Sequence, residues 1–129
     1  MLFRLVFENL DLACARAGQA IAEKPSKELE KLVTSALAVL EEQGVYALFL
    51  FLKTQGGKAA PTIEQKVREF LKTTPQQAPL LPDDGDVFAL LQSMSEDLDK
   101  LLLARDLLRQ ALVYARYHAR VPQKSESRT

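Results

Sequence analysis

Apolar residues recur along this chain at helical spacing. Val6, Leu10, Cys14, Ala17 and Ile21 follow steps of three and four and lay one apolar stripe along a first helix. Lys24-Pro25-Ser26 closes it, with Ser26 placed to cap the next helix. That second helix carries Leu29, Leu32, Val33, Ala36, Leu37 and Leu40, and stops at Gly44, a residue suited to a left-handed helix end. The run from Val45 to Leu52 is apolar all round. Its aromatic content favours a strand. No second strand candidate exists to pair with it, however, and an unpaired buried strand leaves its backbone polar groups unsatisfied. The run is therefore expected to be a short central helix, ended by Gly56-Gly57.

Pro61-Thr62-Ile63-Glu64-Gln65 opens a fourth helix with Thr62 and Gln65 at capping-box spacing, and Ile63, Val67, Phe70 and Leu71 form its core face. Pro75, Pro79 and Pro82 punctuate the stretch from Thr73 to Asp84. The helices on either side are too few to make two cores, so this stretch reads as an ordered surface crossing and not as an interdomain linker. A short helix is expected from about Asp86 to Gln92. Ser95 is then placed to cap a long last helix reaching about Arg120, with Glu96, Asp97 and Asp99 in its first turn, where the helix dipole favours acids. The pattern predicts an all-α fold: one compact bundle of about six helices around the Val45–Leu52 segment, with a long C-terminal helix. A single domain spans residues 1–121, and residues 122–129 form a flexible polar tail.

Composition narrows the class. The 129 residues are 47% hydrophobic and 26% charged, which excludes wholesale disorder. The longest uncharged apolar run has eight residues, against the roughly twenty a membrane span needs. Glu8 and Asp11 interrupt the apolar N-terminus before it reaches the length of a secretory leader, so a cytoplasmic location is expected. The lone cysteine, Cys14, excludes an internal disulfide and a cysteine-rich zinc site.

Reacting groups are sparse. Cys14 stands in stripe with Leu10 and Ile21 and reads as a small core residue; His118, four residues after Tyr114, reads as a packing residue. Nothing around Ser93 or Ser95 resembles a nucleophile turn. Gly56-Gly57-Lys58 is too short for a phosphate loop. Asp83-Asp84-Gly85-Asp86 lacks the alternating ligands and closing glutamate of a calcium loop, and fits a turn plus helix N-terminus. Glu41-Glu42 fits a solvated helix end. No enzymatic activity, cofactor or metal is expected.

Charge is sorted along the chain although seventeen basic and seventeen acidic side chains cancel. Residues 1–99 carry ten bases and fifteen acids, and residues 100–129 carry seven bases and two acids. At about 100° per residue, taking Arg105 as zero, Arg109 falls near 40°, Arg116 near 20° and Arg120 near 60°. The four share a stripe about 22 Å long, with Lys124 beyond it. Leu103, Leu107, Ala111 and Tyr114 fall at about 160° to 240° and are expected to bury the helix. Guanidinium groups pair with phosphate oxygens, so the stripe fits a nucleic-acid backbone. It equally fits a solvated face that complements the helix dipole, or a docking face for an acidic protein patch such as Asp83–Asp99 of a neighbouring copy. No aromatics interleave with the arginines, so any nucleic-acid contact would be sequence-blind.

The stretch from Leu37 to Gly56, LAVLEEQGVYALFLFLKTQG, is similar to the signature of the small all-helical subunit of type III-B CRISPR effector complexes, the Cmr complex. In that family a helix ends at an Asn-Gly-like step, here Gln43-Gly44, and an apolar helix with Leu-x-Phe-Leu follows before a Gly. The family's long closing helix resembles Ser95 to Arg120. The resemblance implies a non-catalytic subunit of an RNA-guided, RNA-targeting antiviral machine in a prokaryotic cytoplasm. Copies would stack beside the backbone subunit, bridge toward the large polymerase-like subunit, and line the channel holding guide and target RNA. The assignment of Arg105, Arg109, Arg116, Arg120 and Lys124 to phosphate contact rests on the stripe's geometry alone. The small subunit of the type III-A complex and a helical adaptor that binds only protein are the alternatives.

Overall fold

The apolar stripes become helices in the computed structural model, which describes residues 9–81 and 85–120 and so leaves Val6 of the first stripe outside. In chain order these are α1 (Leu10–Ile21), α2 (Lys27–Gln43), α3 (Val45–Thr54), α4 (Ala59–Thr73), α5 (Val87–Met94) and α6 (Leu98–Arg120), with no strand among the described residues. The tail beyond Arg120, and with it Lys124, lies outside the described residues.

Several helix ends are set where the sequence places them. Ser26 Oγ accepts from Leu29 N at 3.0 Å and opens α2. Gly44 ends it at φ 100°, a conformation that L side chains avoid, and its N–H donates to Leu40 O at 3.0 Å. The same Gly44 carbonyl accepts from Leu48 N at 3.1 Å, so one glycine both ends α2 and starts α3 at a sharp corner.

Two ends differ from expectation. Thr62 and Gln65 form no capping box. Pro61 fits the first helical turn, where its missing N–H costs nothing, so α4 begins upstream at Ala59. Thr62 is then inside the helix, and its hydroxyl donates back to Lys58 O at 3.2 Å. Ser95 caps nothing N-terminally: it ends α5, with its backbone N–H on Leu91 O at 2.9 Å and its hydroxyl on the same oxygen at 2.8 Å. Asp97 caps α6 instead, accepting from Lys100 N at 3.2 Å. A carboxylate is the stronger acceptor for an orphan helix N–H, and only Asp99 of the three acids lies in the first turn.

The crossing after α4 is ordered, as far as it is described, because it contributes to the core. Leu80 and Leu81 are buried, and their N–H groups donate to Thr74 O (3.2 Å) and Leu71 O (3.1 Å). The Thr74–Pro75 peptide is cis.

The Val45–Leu52 run forms α3, which packs against four other helices, α2, α4, α5 and α6. Val45, Leu48, Phe49 and Leu52 are buried, but Leu50 is 47% exposed, so α3 has an inner and an outer face like its neighbours. Helix α6 likewise meets four others, α1, α2, α3 and α5. It crosses α1 closely at Gly18. A Cβ there would stand 2.6 Å from Tyr114 Cβ, 2.7 Å from Ala115 N and 2.8 Å from Ala111 O, so hydrogen alone lets the two backbones approach. Among the described residues no helix is long and apolar enough to cross a membrane.

Candidate nucleic-acid interface

The buried side of α6 is Ala104, Leu107, Leu108, Ala111, Leu112 and Ala115. On the helical wheel these span about 200° to 340°, a wider arc displaced from the one the pattern suggested. Leu103 and Tyr114, expected in the core, are only half-buried. The shift follows from two neighbours. Helix α1 lies on the Tyr114 side, where the phenol donates to Asp11 Oδ1 at 2.8 Å, and α2 lies on the other side. The arginine stripe therefore borders the core along the α2 seam and does not stand opposite it.

Along that seam each arginine has a different environment. Arg105 Nη2 donates to the backbone carbonyl of Glu41 at 2.8 Å, which holds the side chain without cancelling its charge. Arg109 Nη2 bonds Asp106 Oδ1 at 3.2 Å, and its Nε lies 3.8 Å from Glu41 Oε1. Arg120 Nε donates to Glu30 Oε2 at 2.6 Å. Arg116 is half-buried, and its Nε has no hydrogen-bond partner among the described residues. The Arg109 and Arg120 side chains remain 46% and 52% exposed.

This arrangement is a half-open edge of guanidinium groups. Two of the four are paired with carboxylates, and exposed pairs of that kind contribute only about 0–1 kcal/mol, so a phosphate competes for them readily. Among the described residues, no carboxylate pairs with Arg105 or Arg116. Glu30 and Glu41 were not singled out as partners from sequence. They had a signal: they stand eleven residues apart on α2, as Arg109 and Arg120 do on α6, and eleven residues is about three helical turns.

Cys14 is buried, its thiol donates to Leu107 O at 3.5 Å, and burial with the nearby Asp11 carboxylate pushes its pKa up to about 11. The Asp11 hydrogen bond likewise raises the Tyr114 phenol. His118 is half-buried. Asp86 accepts from Phe88 N at 3.2 Å and caps α5, whereas Asp83 and Asp84 lie outside the described residues. Among the described residues no three His, Cys, Asp or Glu side chains gather as a metal site. No family model matches the chain, and neither does any curated protein or solved structure.

Proposed function

We propose that this chain is a non-catalytic subunit of a type III-B CRISPR RNA-targeting effector complex in a prokaryotic cytoplasm. In this role it stacks along the backbone filament and holds guide–target RNA through sequence-independent phosphate contacts. The observation that carries the reading is the half-open arginine edge of α6. Arg105, Arg109, Arg116 and Arg120 lie along about 22 Å of one rigid helix, and Arg105, Arg109 and Arg120 are each held against α2. Anchoring limits the rotamer entropy lost when a phosphate docks. Each guanidinium has five donors, and the bonds just described use at most two of them, which leaves donors for phosphate oxygens. Base pairing would read the sequence while the protein reads backbone shape and charge. The LEEQG–LFLFL stretch supports the family assignment through its sequence resemblance.

The Glu30–Arg120 and Asp106–Arg109 pairs favour a second reading, in which the edge is a neutralised seam and the chain an adaptor that binds only protein. A reconstituted effector complex carrying Arg105, Arg109, Arg116 and Arg120 all changed to Glu separates the two. The RNA-holding role predicts loss of target-RNA affinity and a salt dependence shallower by about 0.7–0.9 in log–log slope per lost contact. Unchanged RNA binding by an intact complex would overturn it.

A further inference from the structure

A groove of about 580 Å³ runs between α1 and α4. Half-buried Ala13, Ala17 and Ala20 of α1 and buried Phe70 of α4 give it an apolar floor. The three alanines follow steps of four and three, so the trough runs along α1 for about 10 Å. Its charges are mixed, with Arg16, Lys66 and Lys72 against Glu69, so charge alone selects no occupant.

Helix α1 begins one turn before this floor. Asn9 Oδ1 accepts from Leu12 N at 2.9 Å, and the Asn9 carbonyl accepts from Ala13 N at 3.1 Å. The backbone of Asn9 itself (φ −81°, ψ 86°) is outside the helical region, so the chain enters α1 through a bend. Eight residues precede that bend, and six of them, Met1, Leu2, Phe3, Leu5, Val6 and Phe7, are hydrophobic. Apolar side chains at that density gain by finding cover from water.

We propose that residues 1–8 turn back at Asn9 and lie extended in the α1–α4 groove, with Phe3, Leu5 and Phe7 on its floor. Side chains of an extended chain alternate, so these three share one face while Arg4 and Glu8 share the other and stay in water. Alanines on the floor leave the depth that aromatic side chains need. Reach is ample. Eight extended residues span up to about 26–29 Å, whereas Ala20, the far floor residue, lies about 16 Å along α1 from Asn9. The tether selects this occupant over a separate partner, because attachment at Asn9 holds the segment at an effective concentration in the millimolar range. None of the lining comes from α6, so the contact is independent of the arginine edge and of RNA binding.

Limited trypsin digestion of the full chain, followed by mass spectrometry, reads the docking at the Arg4–Leu5 bond. That bond should be cut at least about tenfold more slowly in the wild-type chain than in a groove variant, Ala17→Glu with Ala20→Glu, because cleavage follows the undocked fraction. A segment variant, Phe3→Ser with Phe7→Ser, should be cut as fast as the groove variant. Retained helical circular dichroism confirms that both fold. Should the groove variant fail to fold, disulfide trapping in a Cys14→Ala chain keeps the groove in place. Leu5→Cys with Ala17→Cys should then close a bridge within one chain at least about tenfold faster than Leu5→Cys with Gln19→Cys, which stands about 200° away around α1. Equal cleavage in the wild-type and groove-variant chains, equal closure of the two cysteine pairs, or bridges formed mainly between chains would each overturn the contact.

Discussion

Gly18 on α1 lies directly beneath Tyr114 on α6, so close that a Cβ at position 18 would stand 2.6 Å from the tyrosine's own Cβ. A hydrogen bond from Tyr114 to Asp11 at 2.8 Å fixes the rotation of this close crossing. Two of the atoms that a new methyl would meet, Ala115 N and Ala111 O, belong to the backbone on the buried face of α6 and have nowhere to move. Gly18→Ala should therefore destabilise the fold by about 1–3 kcal/mol, even though alanine is the better helix former by about 1 kcal/mol. Gly56→Ala is the control: nothing lies within 4 Å of its Cβ position, and it should be neutral or slightly stabilising. Urea unfolding reads both, and a Gly18→Ala chain as stable as wild type would show that the helices can separate at no cost.

Cys14 makes the fold sensitive to alkali. Burial first, and the Asp11 carboxylate second, push its thiol up to about 11, and Tyr114 moves in the same direction through its bond to Asp11. The folded chain thus holds these protons where the unfolded chain releases them. The stability they contribute is full below about pH 9, the ordinary thiol range, and drains away as pH rises toward 11. Unfolding midpoints in urea should fall between pH 8 and pH 10.5, and Cys14→Ala should flatten that slope. At pH 8 the thiol should resist alkylation except at the rate of unfolding. Rapid labelling of the native chain, or a midpoint independent of pH, would contradict the burial argument.

How much of this was legible in the sequence depends on the range of the interaction. Local signals were readable: Ser26 before an apolar period, Gly44 after one, and an eight-residue run with no strand to pair with, all of which became helix boundaries or helix. Ser95 and Asp97 were a closer contest, because both precede the same apolar period. The preceding helix decided it by taking Ser95 into its own last turn. The rotation of α6 was not readable from its own residues. Its alanines fill a face as well as its leucines do, so only the positions of α1 and α2 determine which arc is buried. Gly18 gave no sign either, since glycine inside a helical stripe looks the same whether or not another backbone crosses it. For the candidate site, the arginine row was visible as a period. Its pairing with Glu30 and Glu41 required setting two antiparallel helices side by side.

That pairing yields the sharpest test of what the arginines are for. Glu30→Gln with Glu41→Gln releases Arg120 and Arg109 from α2 carboxylates while leaving every arginine in place. The Glu41 backbone carbonyl that holds Arg105 is untouched by the change. Exposed pairs of this kind contribute so little, about 0–1 kcal/mol, that stability should barely fall. If the edge holds phosphates, the variant should bind RNA more tightly than wild type at low salt, with a log–log salt slope steeper by up to about 0.7–0.9 for each arginine released. Arg105→Glu with Arg116→Glu should lose more affinity than Arg109→Glu with Arg120→Glu, because the latter two already share their charge with carboxylates. A seam built only to join helices predicts the reverse pattern. RNA binding would then stay flat across all three variants, and the loss would appear in the unfolding midpoint of Arg109→Glu with Arg120→Glu, where like charges would face Asp106, Glu30 and Glu41.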